Sequence, residues 1–288
     1  MEQNDNKNIN LHRYINKDNK RVHEKIKEES KEKDKKNIVT KFPKKDIKNI
    51  ISVISGKGGV GKSSISAILA LKLNSIGKKV GILDADITGA SILKIFSIDK
   101  KAEMLGDKII PAVTKTGIKI ASINLFLKTD DSPIIWRGPM LSNALMQLYN
   151  NTLWQDLDYL IIDMPPSTSD VMITAFQSIP IDSAIVVTTP QNLSINIAKK
   201  AYNMAKQMNI EVLGFIENMS YIKCGKCGNI INLGEEGLEK EILKIGSRLI
   251  AKFPLDINLN ENIINRNFEI YITDTEYFKI FLQNLKKL

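Results

Sequence analysis

The residues best placed to do chemistry are Gly56, Lys57, Gly58, Gly59, Val60, Gly61, Lys62, Ser63 and Ser64. Gly56-x4-Gly61-Lys62-Ser63 fits the phosphate-loop pattern G-x-x-x-x-G-K-[ST]. Glycines let successive backbone N–H groups turn inward around phosphate oxygens. Lys62 would set a point charge at the β/γ-phosphates, and the Ser63 hydroxyl would ligate Mg²⁺. The same glycines also spell G-x-G-x-x-G, the dinucleotide fingerprint, with Asp84 about 20 residues on. The Lys62-Ser63 pair decides for the phosphate loop, because a dinucleotide pyrophosphate does not need it. A bare Gly-rich turn would explain neither that pair nor the aspartates that follow.

Those aspartates are Asp84 and Asp86, closing one apolar run, and Asp163, closing another. An Asp after a strand is often only a turn or cap residue. Beside a phosphate loop, Asp163 suits a water-bridged Mg²⁺, and Asp86 suits orienting the attacking water. Cys224-x-x-Cys227, flanked by Gly225 and Gly228, is the other reactive feature. Alone it admits a redox dithiol, half a zinc knuckle or half an iron–sulfur site. A four-ligand metal site needs more than two thiolates, and a two-fold dimer would supply four.

The elements that must position these groups alternate. Ile50–Ile54 reads as a strand, Ser63–Ser75 as a helix ended by Gly77, and Lys79–Leu83 as a second strand. Ile109–Val113 and Ile118–Phe126 suggest a hairpin, and Met140–Tyr149 a helix. Tyr159–Ile162, Ser183–Thr188 and Val212–Ile216 read as strands; Leu193–Met208, Glu235–Ile245 and Thr275–Leu285 read as helices. Apolar strands alternating with helices predict an α/β fold, a doubly wound, mostly parallel sheet with helices on both faces. Ligands of such sheets sit at the carboxyl ends of strands, where Ser55, Asp84 and Asp163 all fall.

The chain has 288 residues, 43% of them hydrophobic, which suffices for a full core, and no apolar run approaches a membrane span. Two cysteines make no disulfide framework, so a cytoplasmic, reducing compartment is expected. Residues 1–48 hold 15 Lys+Arg and 9 Asp+Glu, or +6 of the total +9, and read as a basic, disordered arm ahead of an ATPase domain at 49–288. Both histidines, His12 and His23, lie in that arm, which excludes histidine catalysis in the folded part. No basic stripe interleaved with aromatics is found there, so no stable nucleic-acid complex is expected.

The loop's second lysine, Lys57, resembles the deviant phosphate loop of MinD/ParA-like ATPases. DADITGAS (84–91), WRGPM (136–140), LWQDLDYLIIDMPPSTSD (153–170), TTPQ (188–191), ENMSY (217–221) and CGKCG (224–228) resemble the Mrp/ApbC family of iron–sulfur cluster carrier ATPases. The resemblance implies a homodimer with ATP between subunits and Lys57 reaching the partner's phosphates. It implies Asn218 near the adenine, and a [4Fe-4S] cluster bridged by Cys224 and Cys227 of both subunits for delivery to apo-proteins.

Four positions depart from the family pattern: Thr88, Ala90, Ser167 and Ser169. The two serines replace switch glycines, so restricted backbone freedom and slowed hydrolysis are expected. Two rival readings are a MinD/ParA-like spatial regulator on membrane or DNA and a zinc-stabilised structural dimer. The first would use Tyr277–Leu288 as an exposed amphipathic helix.

Overall fold

The structure, a computed structural model, describes residues 41–86, 91–99, 101–126, 138–166, 169–234 and 237–285. The arm to residue 40, Thr88, Ala90, Trp136, Arg137 and Ser167 lie outside these. The folded unit begins at Lys41, earlier than Asn49. Phe42 N–H donates to Ser178 O at 2.7 Å, and Tyr149 Oη donates to Pro43 O at 3.0 Å. These contacts anchor a segment whose lysines suggested a solvated tail.

From there the chain runs β1 (Ile47–Ser55), α1 (Lys62–Ser75), β2 (Val80–Asp84), α2 (Ser91–Ile95), β3 (Glu103–Leu105), β4 (Lys108–Ile110), β5 (Ala112–Val113) and β6 (Lys119–Ser122). It continues through α3 (Gly138–Asn151), β7 (Leu157–Asp163), α4 (Asp170–Ser178), β8 (Ser183–Thr188), α5 (Asn192–Gln207), β9 (Glu211–Lys223) and β10 (Ile230–Asn232). The end is α6 (Leu238–Lys244), β11 (Leu249–Pro254), α7 (Leu259–Ile264), α8 (Phe268–Asp274) and α9 (Glu276–Leu285).

The main sheet has the order β10-β9-β8-β1-β7-β2-β6-β5, with β11 also on β9. Strands β9, β8, β1, β7, β2 and β6 are mutually parallel, while β10 and β5 add antiparallel edges. Each face of the sheet carries its own apolar layer. One is built on Tyr149, Phe176 and Phe215, the other on Leu69, Phe253 and Phe268. The α/β doubly wound expectation is met, because central strands buried on both faces show as continuous apolar runs.

Helix α1 is buried on all sides from Ile65 to Leu73, since α8 and α9 cover its outer face. Even Lys72 is enclosed, with its ammonium 4.0 Å from the Phe278 ring centroid. Phe278 and Phe281 of α9 are likewise buried. Phe278 and Phe281 are thus spent on the core, where the membrane-binding rival needed them free.

The largest departure from expectation is β9. It does not stop at Ile216 but runs to Lys223, held by β11 from Phe215 to Tyr221 and by β10 from Tyr221 to Lys223. Cys224 and Cys227 therefore sit in the turn of the β9–β10 hairpin. Among the described residues, no helix is long and apolar enough to cross a membrane.

Candidate functional site

The phosphate loop joins β1 to α1 at the carboxyl edge of the sheet. Gly61 caps α1 with φ 78°, and an added Cβ there would lie 2.2 Å from Asn218 Nδ2. At Gly56 a Cβ would lie 2.3 Å from Ile197 O of α5, so both ends of the loop require glycine. Asn218 Nδ2 donates to Val60 O at 2.9 Å, tying β9 to the loop. Ser55 Oγ donates to Lys57 O at 3.0 Å; Lys57 is partly buried, while Gly58 and Gly59 are exposed. Ser64 follows in the first turn of α1, with that helix's N-terminal dipole aimed into the loop.

Asp163 sits at the centre. The sheet register places it between Val53 and Asp84 on the neighbouring strands. Lys62 Nζ lies 2.8 Å from Oδ1, Ser63 Oγ donates to Oδ2 at 2.6 Å, and Ser66 Oγ donates to Oδ1 at 2.7 Å. Asp86 Oδ2 lies 3.8 Å from Lys62 Nζ. Asp84 is 1% exposed; Ser122 Oγ donates to its Oδ2 at 3.0 Å, and Asp86 N–H to its Oδ1 at 3.2 Å. Burial, and then the neighbouring Asp163 charge, push the Asp84 carboxyl up to about 8, against the pull of Ser122 and Lys62.

Three carboxylates thus crowd one ammonium in a dry site. The Ser63 hydroxyl and Asp163 carboxylate are hard oxygen donors side by side, which fits Mg²⁺, and the N–H-rich loop beside Lys62 fits a polyphosphate. The predicted Lys62, Ser63, Asp86 and Asp163 converge. Ser66 and Ser122 were not predicted. Ser66 had a signal, being three residues past Ser63 and so on the same helix face. Ser122 had none, because only the β2–β6 pairing brings it to Asp84.

Ser169 caps α4 with an extended backbone (φ −74°, ψ 157°), and Met172 N–H reaches its Oγ at 3.4 Å. Any residue adopts that conformation, and here Ser169 serves as a helix cap.

The cysteine turn is closed by Cys224 N–H donating to Asn229 O at 2.8 Å and Gly228 N–H to Cys224 O at 2.9 Å. Both thiols are free. The Cys224 thiol is held below its ordinary range by the N–H groups of Cys227 and Lys226 and by the Cys227 side chain. Among the described residues no third His, Cys, Asp or Glu joins the pair into a metal-binding group.

Residues 46–287 match the ParA family model described as NUBPL iron-transfer P-loop NTPase. The chain belongs to that family. Two relatives are each named iron-sulfur cluster carrier protein. The one from Clostridium perfringens is 42% identical over 249 residues, covering 83% of this chain and 87% of that protein. The one from Methanocaldococcus jannaschii is 47% identical over 218 residues, covering 75% of each. A nucleotide-binding protein from Archaeoglobus fulgidus, solved with ADP, superposes with TM-score 0.72 at 35% identity, covering 82% of this chain and 93% of that one. MinD of Pyrococcus horikoshii, solved with Mg-ADP, reaches TM-score 0.58 at 22% identity, covers 83% and 95%, and shows the fold alone. The iron-transfer family accounts for both motifs at once, the loop at 56–64 and the cysteine turn at 224–227. A MinD-like reading accounts only for the first.

Proposed function

We propose that this iron-transfer P-loop NTPase hydrolyses ATP and carries an iron–sulfur cluster as cargo between the subunits of a homodimer. The observation that carries the reading is the single strand β9. One of its residues, Asn218, touches the phosphate loop, and the strand ends in the cysteine turn.

The roles follow from placement. Lys62, now on Asp163 at 2.8 Å, exchanges that partner for the β/γ-phosphates when ATP enters. Ser63 and Asp163 would hold Mg²⁺, and the ion would supply charge neutralisation at the transferring phosphoryl group. Asp86 orients the attacking water and accepts its proton. The backbone of Gly56 to Ser64 cradles the phosphates, and Asn218 meets the base. Lys57, on the open side of the loop beside the exposed Gly58 and Gly59, reaches the partner's phosphates. Cys224 and Cys227 of each subunit ligate one [4Fe-4S] cluster, which is handed to apo iron–sulfur proteins. The free thiols suit a reducing cytoplasm. Residues 1–48 include a basic arm ahead of the ATPase domain, with no nucleic-acid partner assigned.

Iron and sulfide counting after anaerobic reconstitution tests the cargo. About two irons and about two sulfides per chain fit a bridging four-iron cluster. Cys224→Ser and Cys227→Ser should each abolish iron while leaving ATP binding intact. Near-zero iron with about half an equivalent of zinc per chain would establish the structural-zinc dimer instead.

A further inference from the structure

Among the described residues, six that are not glycine have a left-handed backbone, and five of these lie in turns and loops between elements. The sixth is Met219, with φ 55°, inside β9. A left-handed methionine within a strand is costly and persists only where its surroundings hold it. The pairing with β11 shows how it is accommodated. Glu217 pairs with Lys252 and Tyr221 with Pro254, so Asn218, Met219 and Ser220 stand opposite Phe253 alone. This is a β-bulge, a feature that re-aims side chains beside functional sites. In a regular strand Asn218 and Met219 would point to opposite faces. Here both meet the last glycine of the phosphate loop. A Cβ placed on Gly61 would lie 2.2 Å from Asn218 Nδ2 and 3.5 Å from Met219 Cε.

The bulge is pinned from its far side. Ser220 Oγ donates to Glu217 O at 2.9 Å, Leu233 N–H to Ser220 O at 2.9 Å, and Leu255 N–H to Tyr221 O at 2.7 Å. Glu217 Oε2 is buried beside it without a hydrogen bond, 3.6 Å from Lys252 Nζ. A buried carboxylate oxygen left unpaired is a second cost at the same place. Two such costs side by side mark a segment shaped for something other than stability.

We infer that Met219 is a positioning residue: through the bulge, it makes the set of the Cys224–Cys227 turn depend on what the phosphate loop holds. This link rests on reading the loop as the nucleotide site and the turn as the cargo site, and it assigns the residue that joins them. Gly61 shifts as phosphate oxygens take up the N–H groups of the loop, and Met219 bears on Gly61. The torsion at Met219 sets the direction in which the chain leaves the bulge toward Cys224, five residues on. The last β9 residue laddered to β8 is Glu217, so only β11 and β10 steady the strand beyond it. A change at Met219 therefore swings the hairpin rather than being absorbed by the central sheet.

The test times iodoacetamide alkylation of the two thiols in the cargo-free, full-length chain at fixed pH, with and without saturating Mg·ADP. Calorimetric titration checks saturation separately. The wild-type rate should change by about fivefold or more on adding nucleotide, the scale of ordinary coupling between sites. Met219→Leu keeps an apolar side chain of similar reach and should respond as wild type does. Met219→Gly tolerates the left-handed backbone but has nothing to bear on Gly61, so its response should vanish while Mg·ADP still binds. Met219→Ala makes the same comparison should the glycine variant not fold. A full response in the glycine or alanine variant overturns the inference, as does its loss in Met219→Leu. Wild-type thiols indifferent to bound Mg·ADP overturn it too. A wild-type chain that binds no Mg·ADP sinks the nucleotide reading and the link with it. A chain whose thiols respond as expected but which takes up no iron sinks the cargo reading alone and leaves the link standing.

Discussion

Asp84 should make the folded protein lose stability as pH rises through neutrality. Its carboxyl titrates near 3.8 in the unfolded chain and near about 8 in the folded one, because burial and the Asp163 charge disfavour its ionised form. The sign follows from proton counting. Below about pH 4 both states hold the proton, so the stability from this group is at its highest and has no slope. Between the two values only the folded state holds it, so each unit of rising pH costs up to about 1.4 kcal/mol. From about pH 5.5 to about pH 7.5 that amounts to at most about 2.8 kcal/mol. No histidine obscures this window, since His12 and His23 both precede Lys41. Asp84→Asn keeps an acceptor for Ser122 Oγ and removes the titration. Urea denaturation of the nucleotide-free protein at the two pH values is the assay. The stability advantage of the Asn variant over wild type should grow by up to that amount between them. An advantage that stays constant or shrinks would show that Asp84 is ionised throughout, and the account of the crowded carboxylates would be wrong.

Ser66→Ala removes a 2.7 Å hydrogen bond to the fully buried Asp163 carboxylate. It should cost about 1.5–3 kcal/mol in chemical denaturation and raise the Mg²⁺ concentration needed for tight ADP binding. If neither quantity moves, Ser66 does not position Asp163. For Lys57, Lys57→Ala subunits mixed with Asp86→Asn subunits should recover ATPase activity that either variant lacks alone. Each hybrid dimer keeps one site with neither defect if Lys57 acts on the partner's nucleotide. Verified hybrids that stay inactive would place the action of Lys57 within its own subunit.

The sequence by itself determined whatever chemistry is local. The loop from Gly56 to Ser64 is legible because its glycines, lysine, serine and helix start are contiguous, so their geometry is set within one strand-turn-helix. Strands β1, β7 and β8 are legible because burial on both faces leaves mostly apolar runs, broken between Ile50 and Ile54 of β1 only by Ser52. The cysteine pair could be seen but not placed, since the extension of β9 to Lys223 depends on pairing with β11 and β10. The helices α7 and α8 were missed, being short and partly exposed, with little periodicity to read. Only the tertiary structure decided how the carboxylates share one lysine. Asp84 and Asp163 lie on separate strands, and parallel register alone makes them neighbours and brings Ser122 beside Asp84. Their mutual repulsion and desolvation exist only once that register excludes water. No spacing along the chain encodes a carboxyl whose ionisation burial and a neighbouring charge disfavour.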